Sequence, residues 1–204
     1  MATVDEAGIP RLKSWEVQEE GDSRGMADGY PVWRYIRLLR ELEHDLDLVC
    51  GLDESCINYS ADARGHIVWL DIGGCSFSLT RGRQLWVREF GKVSKYCYLP
   101  ERYIYRYGPG KADHIRFESH HRDQPRPHVN SRGGEHVYPE EGLDIIGLNL
   151  YIAIMICFEY ASCGRYPLNR ENFNHYNKII GDAKRGLGYG ECTMASDTVP
   201  AGRR

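Results

Sequence analysis

The 204-residue sequence lacks most of the features that assign a chain quickly. None of its seven cysteines (Cys50, Cys56, Cys75, Cys97, Cys157, Cys163 and Cys192) forms a C-x-x-C pair, so a zinc ribbon is not supported. An odd number cannot all pair within one chain, and the expectation is a reduced, cytoplasmic setting with most of them buried as small apolar residues. The opening "MATVDEAGIPRLKSW" has no basic stretch followed by an apolar one, which argues against a signal peptide. The longest apolar run in the C-terminal third, Leu150–Phe158, is nine residues. A bilayer needs roughly 20, so no membrane partner is expected. No internal repeat is visible, and "GLGYG" follows a helical stretch, the wrong context for a phosphate cradle.

What is present suits one folded domain. Hydrophobic residues make up 42% of the chain, enough for a core. Net charge is only −3 but is unevenly spread: residues 1–60 carry 13 acidic and 6 basic side chains, and residues 81–132 carry 12 basic and 5 acidic ones. The middle of the chain is therefore suited to an anion such as RNA, and the first segment to repelling or masking one. The same imbalance also suits a merely solvated surface.

Residues 1–27, with "EVQEEGDSRG", read as an acidic, mobile arm. Pro31 opens an amphipathic helix with Ile36, Leu39, Leu42, Leu46 and Val49 on one side, ended by Gly51. From Cys56 to His136 the period changes to two. "HIVWLDI", "CSFSLT", "QLWVREF", "YCYLPERYIYRY" and "HIRFESH" are short strand-like runs, and "ADARG", "GG", "RGR", "GKVSK" and "GPGKAD" separate them as tight or bulged turns. Such short connections predict an antiparallel meander. Asp144–Ala161 is apolar nearly all round and is expected as the buried helix that covers the sheet. Asn169 is placed to cap a last helix presenting Phe173, Tyr176, Ile179 and Ile180. The expected fold class is α+β: an antiparallel β-meander packed against helices, with a buried C-terminal apolar helix. The domain spans 28–185, followed by a loose tail over 186–204.

The stretch "DHIRFESHHRDQPRPHVNSRGGEH", Asp113 to His136, holds five of the eight histidines. As a strand, "HIRFESHH" turns Ile115 and Phe117 to the core. It then lines His114, Arg116, Glu118 and His120 along the other face at roughly 6–7 Å intervals. Arg106 joins this row across the hairpin, while Tyr103, Tyr105 and Tyr107 point the other way. Pro125 and Pro127 enforce an extended loop that brings His128 back to the same edge.

A cation, a carboxylate and converging imidazoles suit acid–base work on a phosphodiester. His120 and His128 are the expected acid–base pair, with Arg116 offsetting phosphate charge and Glu118 orienting an imidazole. Arg106, His114, His121, Arg122 and Arg126 are the expected substrate-binding residues, and His136 has the least reason to belong. Zinc or manganese at the histidine cluster is the alternative, although no spacing matches a local ligand pattern such as H-E-x-x-H. A nuclease of the HNH kind, built from His114, Asn130 and His136, needs its last histidine on a helix, whereas "EHVYPEEG" reads as strand and turn. Cys97 and Cys157 lie in packed contexts, which disfavours thiol chemistry. The same residues also suit plain strand ends tied by weak Arg–Glu pairs.

The segment "RYIYRYGPGKADHIRFESHHRDQPRPHVNSRGGEHVYPEEGLDI" resembles the small TumE-type toxins of toxin–antitoxin pairs and related proteins of mobile elements. The aromatic hairpin corresponds to Tyr103, Tyr105 and Tyr107. The Arg-aromatic-acid step corresponds to Arg116, Phe117 and Glu118, and the Pro/His loop to His120, His121, Pro127 and His128. Glu118 stands where an aspartate is usual, and the histidine spacing departs from the family's compact form. The resemblance covers about 45 residues of the 204. It implies a cytoplasmic toxin acting on RNA and held inactive by an antitoxin. The expected function is a metal-independent endoribonuclease of prokaryotic toxin or defence type. The alternative is a non-catalytic module binding protein or nucleic acid, such as an inhibitor carried by a phage or mobile element.

Overall fold

Tyr103, Tyr105 and Tyr107 alternate with Arg102, Ile104 and Arg106, and this period of two sits at the middle of an antiparallel sheet. The computed structural model describes residues 29–45, 56–80, 83–94, 96–108, 115–119, 126–131, 136–163 and 167–192. The acidic arm (1–27), His114, His120, His121, Arg122 and residues 193–204 lie outside them.

The described strands are β1 (Tyr30–Pro31), β2 (Ile57–Ala61), β3 (Ile67–Thr80), β4 (Arg83–Ser94), β5 (Cys97–Tyr98), β6 (Arg102–Gly108), β7 (Ile115–Glu118), β8 (His128–Ser131) and β9 (His136–Val137). They pair antiparallel throughout, in the order β2-β3-β4-β6-β7-β8-β9, with β5 and then β1 branching from the end of β4. The helices are α1 (Val32–Asp45), α2 (Leu150–Cys163) and α3 (Phe173–Leu187). The fold is thus an α+β meander with helical cover, as the sequence predicts. None of the helices among the described residues is long and apolar enough to cross a membrane.

Three boundaries differ from expectation. "GG" at Gly73–Gly74 is not a turn but a register shift between Gly73 and Cys75 inside one long β3. Likewise "GKVSK" continues β4 as far as Ser94. The apolar helix begins at Leu150 rather than Asp144, because Gly147 takes a left-handed φ of 70° and breaks the chain there. The Asn149 side-chain oxygen then caps the helix, accepting the Ile152 N–H at 3.0 Å.

Among the described residues, the helices cover one face of the sheet. Leu70, Ile72, Phe77, Leu85, Val87, Tyr105, Tyr107, Ile115, Phe117 and Val129 are buried there against Ile152, Ala153, Ile154 and Ile156 of α2. Full burial of each large aliphatic side chain stabilises by about 1.5–3 kcal/mol. Among the described residues, the buried carboxylate on this face is Glu89 of β4, only 1% exposed. Tyr35 donates to it at 2.8 Å, Tyr98 at 2.6 Å and the Leu150 N–H at 2.8 Å, and the Tyr105 hydroxyl donates as well. Glu89 therefore ties α1, β5, β6 and the positive N-terminal end of α2 to one point. Burial still pushes its carboxyl above the ordinary range, and the donors pull it partly back.

Gly186–Cys192, read from the sequence as the start of a tail, returns along the fold. Leu187 is buried, Gly188 ends α3 with a φ of 72°, and Arg34 bonds Glu191 at 2.6 Å. Cys56 and Cys157 are buried free thiols, whereas Cys97 forms a disulfide with Cys192 rather than packing as a thiol.

Candidate functional site

Strand pairing decides which polar residues meet. On the sheet face turned away from the helices, Arg106 stands opposite Arg116, Arg116 opposite Asn130, and Asn130 opposite His136. A neighbouring row sets Ile104 opposite Glu118 and Glu118 opposite His128. Because successive strand residues alternate faces, Ile115, Phe117, Val129 and Val137 pack into the core between them.

Glu118 is the hub of these two rows. Its Oε2 lies 3.1 Å from Arg116 Nε, 3.2 Å from the Asn130 amide nitrogen that donates to it, and 3.4 Å from His128 Nε2. The other nitrogen of His128, Nδ1, sits 2.9 Å from the Arg126 carbonyl oxygen. His128 is thus held at both ends, and it is 0% exposed. The Arg116 side chain is 34% exposed, so its guanidinium reaches solvent while its Nε serves the carboxylate.

An aromatic group closes one side. The His128 and His136 ring centres are 5.3 Å apart, and Tyr138 lies 5.9 Å from His128. Arg126 stacks over the Tyr138 ring at 4.1 Å and pairs with Glu140. His136 is exposed and opens on a cleft of about 440 Å³ that Val137, Glu141, Asn169, Arg170 and Glu171 complete. In that cleft Arg170 donates to Glu141 and holds its carboxyl below the ordinary range.

Of the residues expected from the sequence, Arg116, Glu118 and His128 meet, and Arg106 stands directly opposite Arg116 in the same row. Arg126 reaches the site through its backbone carbonyl and through Tyr138. His114, His120, His121 and Arg122 lie outside the described residues. Three participants stand outside the phosphodiester site expected from the sequence: Asn130, Tyr138 and His136. The signal for two of them was in the alternation itself, since Val129 and Val137 are core residues and their neighbours Asn130 and His136 must face outward. Among the described residues no three His, Cys, Asp or Glu side chains converge as a bound metal requires.

The cluster combines a guanidinium at the surface, an exposed imidazole, and a buried imidazole–carboxylate pair behind it. Such a set can bind an oxyanion and move a proton. No family model, curated protein or solved structure matches the chain.

Proposed function

We propose that the chain is an endoribonuclease of toxin or defence type that cleaves RNA without a metal at the Arg116–Glu118–His128–His136 cluster. The observation that carries this reading is the gathering of Arg116, Asn130 and His128 on one oxygen of Glu118, beside an exposed His136. One imidazole takes the proton of the attacking 2′-hydroxyl, a second protonates the 5′ oxygen that leaves, and Arg116 offsets charge on the phosphorane. His136 faces solvent and is suited to proton transfer. His128 holds its position through Glu118 and Arg126, and His120 is retained as the second proton-transfer group. The resemblance at Tyr103–Tyr107 and Arg116–Glu118 supports a toxin setting, with a protein antitoxin as partner.

A test is cleavage of a labelled RNA in the presence of a chelator. His136→Ala and Arg116→Ala are expected to lower the rate roughly 10²–10⁴-fold with folding retained. His128→Ala is expected to act through positioning and to shift the pH profile. Wild-type rates in the His136→Ala and His128→Ala proteins would sink the assignment.

A second reading, a binding module without turnover, is favoured by the complete burial of His128. It predicts salt-sensitive association with RNA and no product.

A further inference from the structure

The row that holds Arg116 and His136 continues beyond the cluster. Arg106 stands opposite Trp86 of β4, and Trp86 opposite Ser76 of β3. Residues Ser76, Trp86, Arg106, Arg116, Asn130 and His136 therefore form one line across six strands, about 24 Å long at the usual strand spacing.

Along β4 the same face carries Trp86, Arg88 and Phe90 in alternation, at roughly 7 Å steps. Phe90 stands opposite Asp71 on one side and Arg102 on the other, and its ring lies 6.4 Å from Trp69. The Arg88 side chain sits against Gly73, where a Cβ would meet its Nη1 at 2.5 Å, so the glycine leaves room for the guanidinium. Trp69, Trp86 and Phe90 are half-buried, and none belongs to the core. The face thus presents three aromatic rings among Arg88, Arg102, Arg106, Arg116 and Lys92, against the carboxylates of Asp71 and Glu118.

We infer that this face is a single-stranded RNA platform, on which bases stack against Trp86 and the Trp69–Phe90 pair while the arginines hold the phosphates. The inference rests on the proposed nuclease reading only for the choice of polymer. Charge complementarity favours a polyanion over a protein occupant. The rings favour a single strand, since bases in a duplex are already stacked on each other and offer no free face. Trp86 stands four strands from His136, about 19 Å away. A base stacked on Trp86 would therefore leave the phosphates that follow to cross Arg106 and Arg116 towards the cluster.

The test uses the full chain and a fluorescent single-stranded RNA of about 10 nucleotides, 2′-O-methylated throughout so that it binds without being cut. Trp86→Ala and Phe90→Ala are each expected to raise Kd roughly 5- to 100-fold. Trp86→Tyr should recover most of the loss, and the same sequence as a duplex should bind more weakly than the single strand. Melting curves check that the variants fold. Unchanged affinity in both alanine variants, equal affinity for the duplex, or no RNA bound by the wild type would each overturn the platform, the last favouring a protein occupant. Cleavage is scored separately on unmodified RNA. A chain that binds as expected but never cuts removes the nuclease reading and keeps the platform. A chain that cuts normally in both alanine variants, with unchanged KM, does the reverse.

Discussion

Replacing Tyr105 by phenylalanine probes the point on which the helices and the sheet are joined. The change deletes one hydroxyl and leaves a ring of nearly the same volume, so no cavity opens. Glu89 Oε2 loses the Tyr105 donor and keeps the Leu150 N–H at 2.8 Å and Tyr35 at 2.9 Å. A hydrogen bond to a charged group in such a place contributes about 1.5–3 kcal/mol. For a chain of this size that corresponds to a drop in Tm of about 3–12 °C. The pH dependence has a definite sign. Burial already raises the carboxyl of Glu89 in the folded state, and each hydroxyl donor lowers it. Deleting a donor raises it further while the unfolded value stays the same. A group raised on folding loses its stabilisation as pH rises through its folded pKa. The penalty in Tyr105→Phe should therefore be larger near neutrality than in acid, where Glu89 is protonated in both proteins. Thermal melts of wild type and variant across the acidic-to-neutral range measure it. A variant as stable as wild type at neutral pH, or one whose deficit grows on acidification, would refute the account of Glu89 as an ionised junction.

Asn149→Ala removes the cap oxygen of α2 and should cost about 0.5–2 kcal/mol in a denaturant titration. Asn149→Ser should cost less, because it keeps an oxygen acceptor and removes a buried amide nitrogen that has no hydrogen-bond partner. Gly91→Ala would place a Cβ 2.5 Å from the Leu99 carbonyl oxygen and 2.6 Å from the Tyr98 ring. Since that oxygen belongs to the backbone, the expected loss is about 1–3 kcal/mol, and an unchanged melting temperature would contradict the packing of β5 on β4.

Much of the architecture could be read from single residues. The tyrosines of β6 mark a core face by alternation, and Arg106 falls in the Arg116 row because the β6–β7 pairing brings those two positions together. The apolar content of α2 announced its burial. Other features depended on partners distant in sequence. Glu89 lies in "QLWVREF", and nothing local shows that Tyr35 and Leu150, 54 and 61 residues away, supply its donors. Adjacent glycines look like a turn, and only pairing with β4 shows that Gly73–Gly74 shifts the phase of one continuous strand. The site had the same limit. Alternation tells which side of the sheet a histidine takes but not what lies over it, so the sequence alone separates neither the buried His128 nor the exposed His136 from the other histidines.

β4 carries two messages on one string of residues. Its odd positions, Leu85, Val87, Glu89 and Gly91, face the helices and fix the fold. Its even positions, Trp86, Arg88 and Phe90, face outward. A lineage under pressure to change what this surface grips can vary the even letters while the odd ones stay constant. A directed-evolution library confined to even positions should accordingly yield many folded members with altered grip, and one confined to odd positions should yield few folded members of any kind.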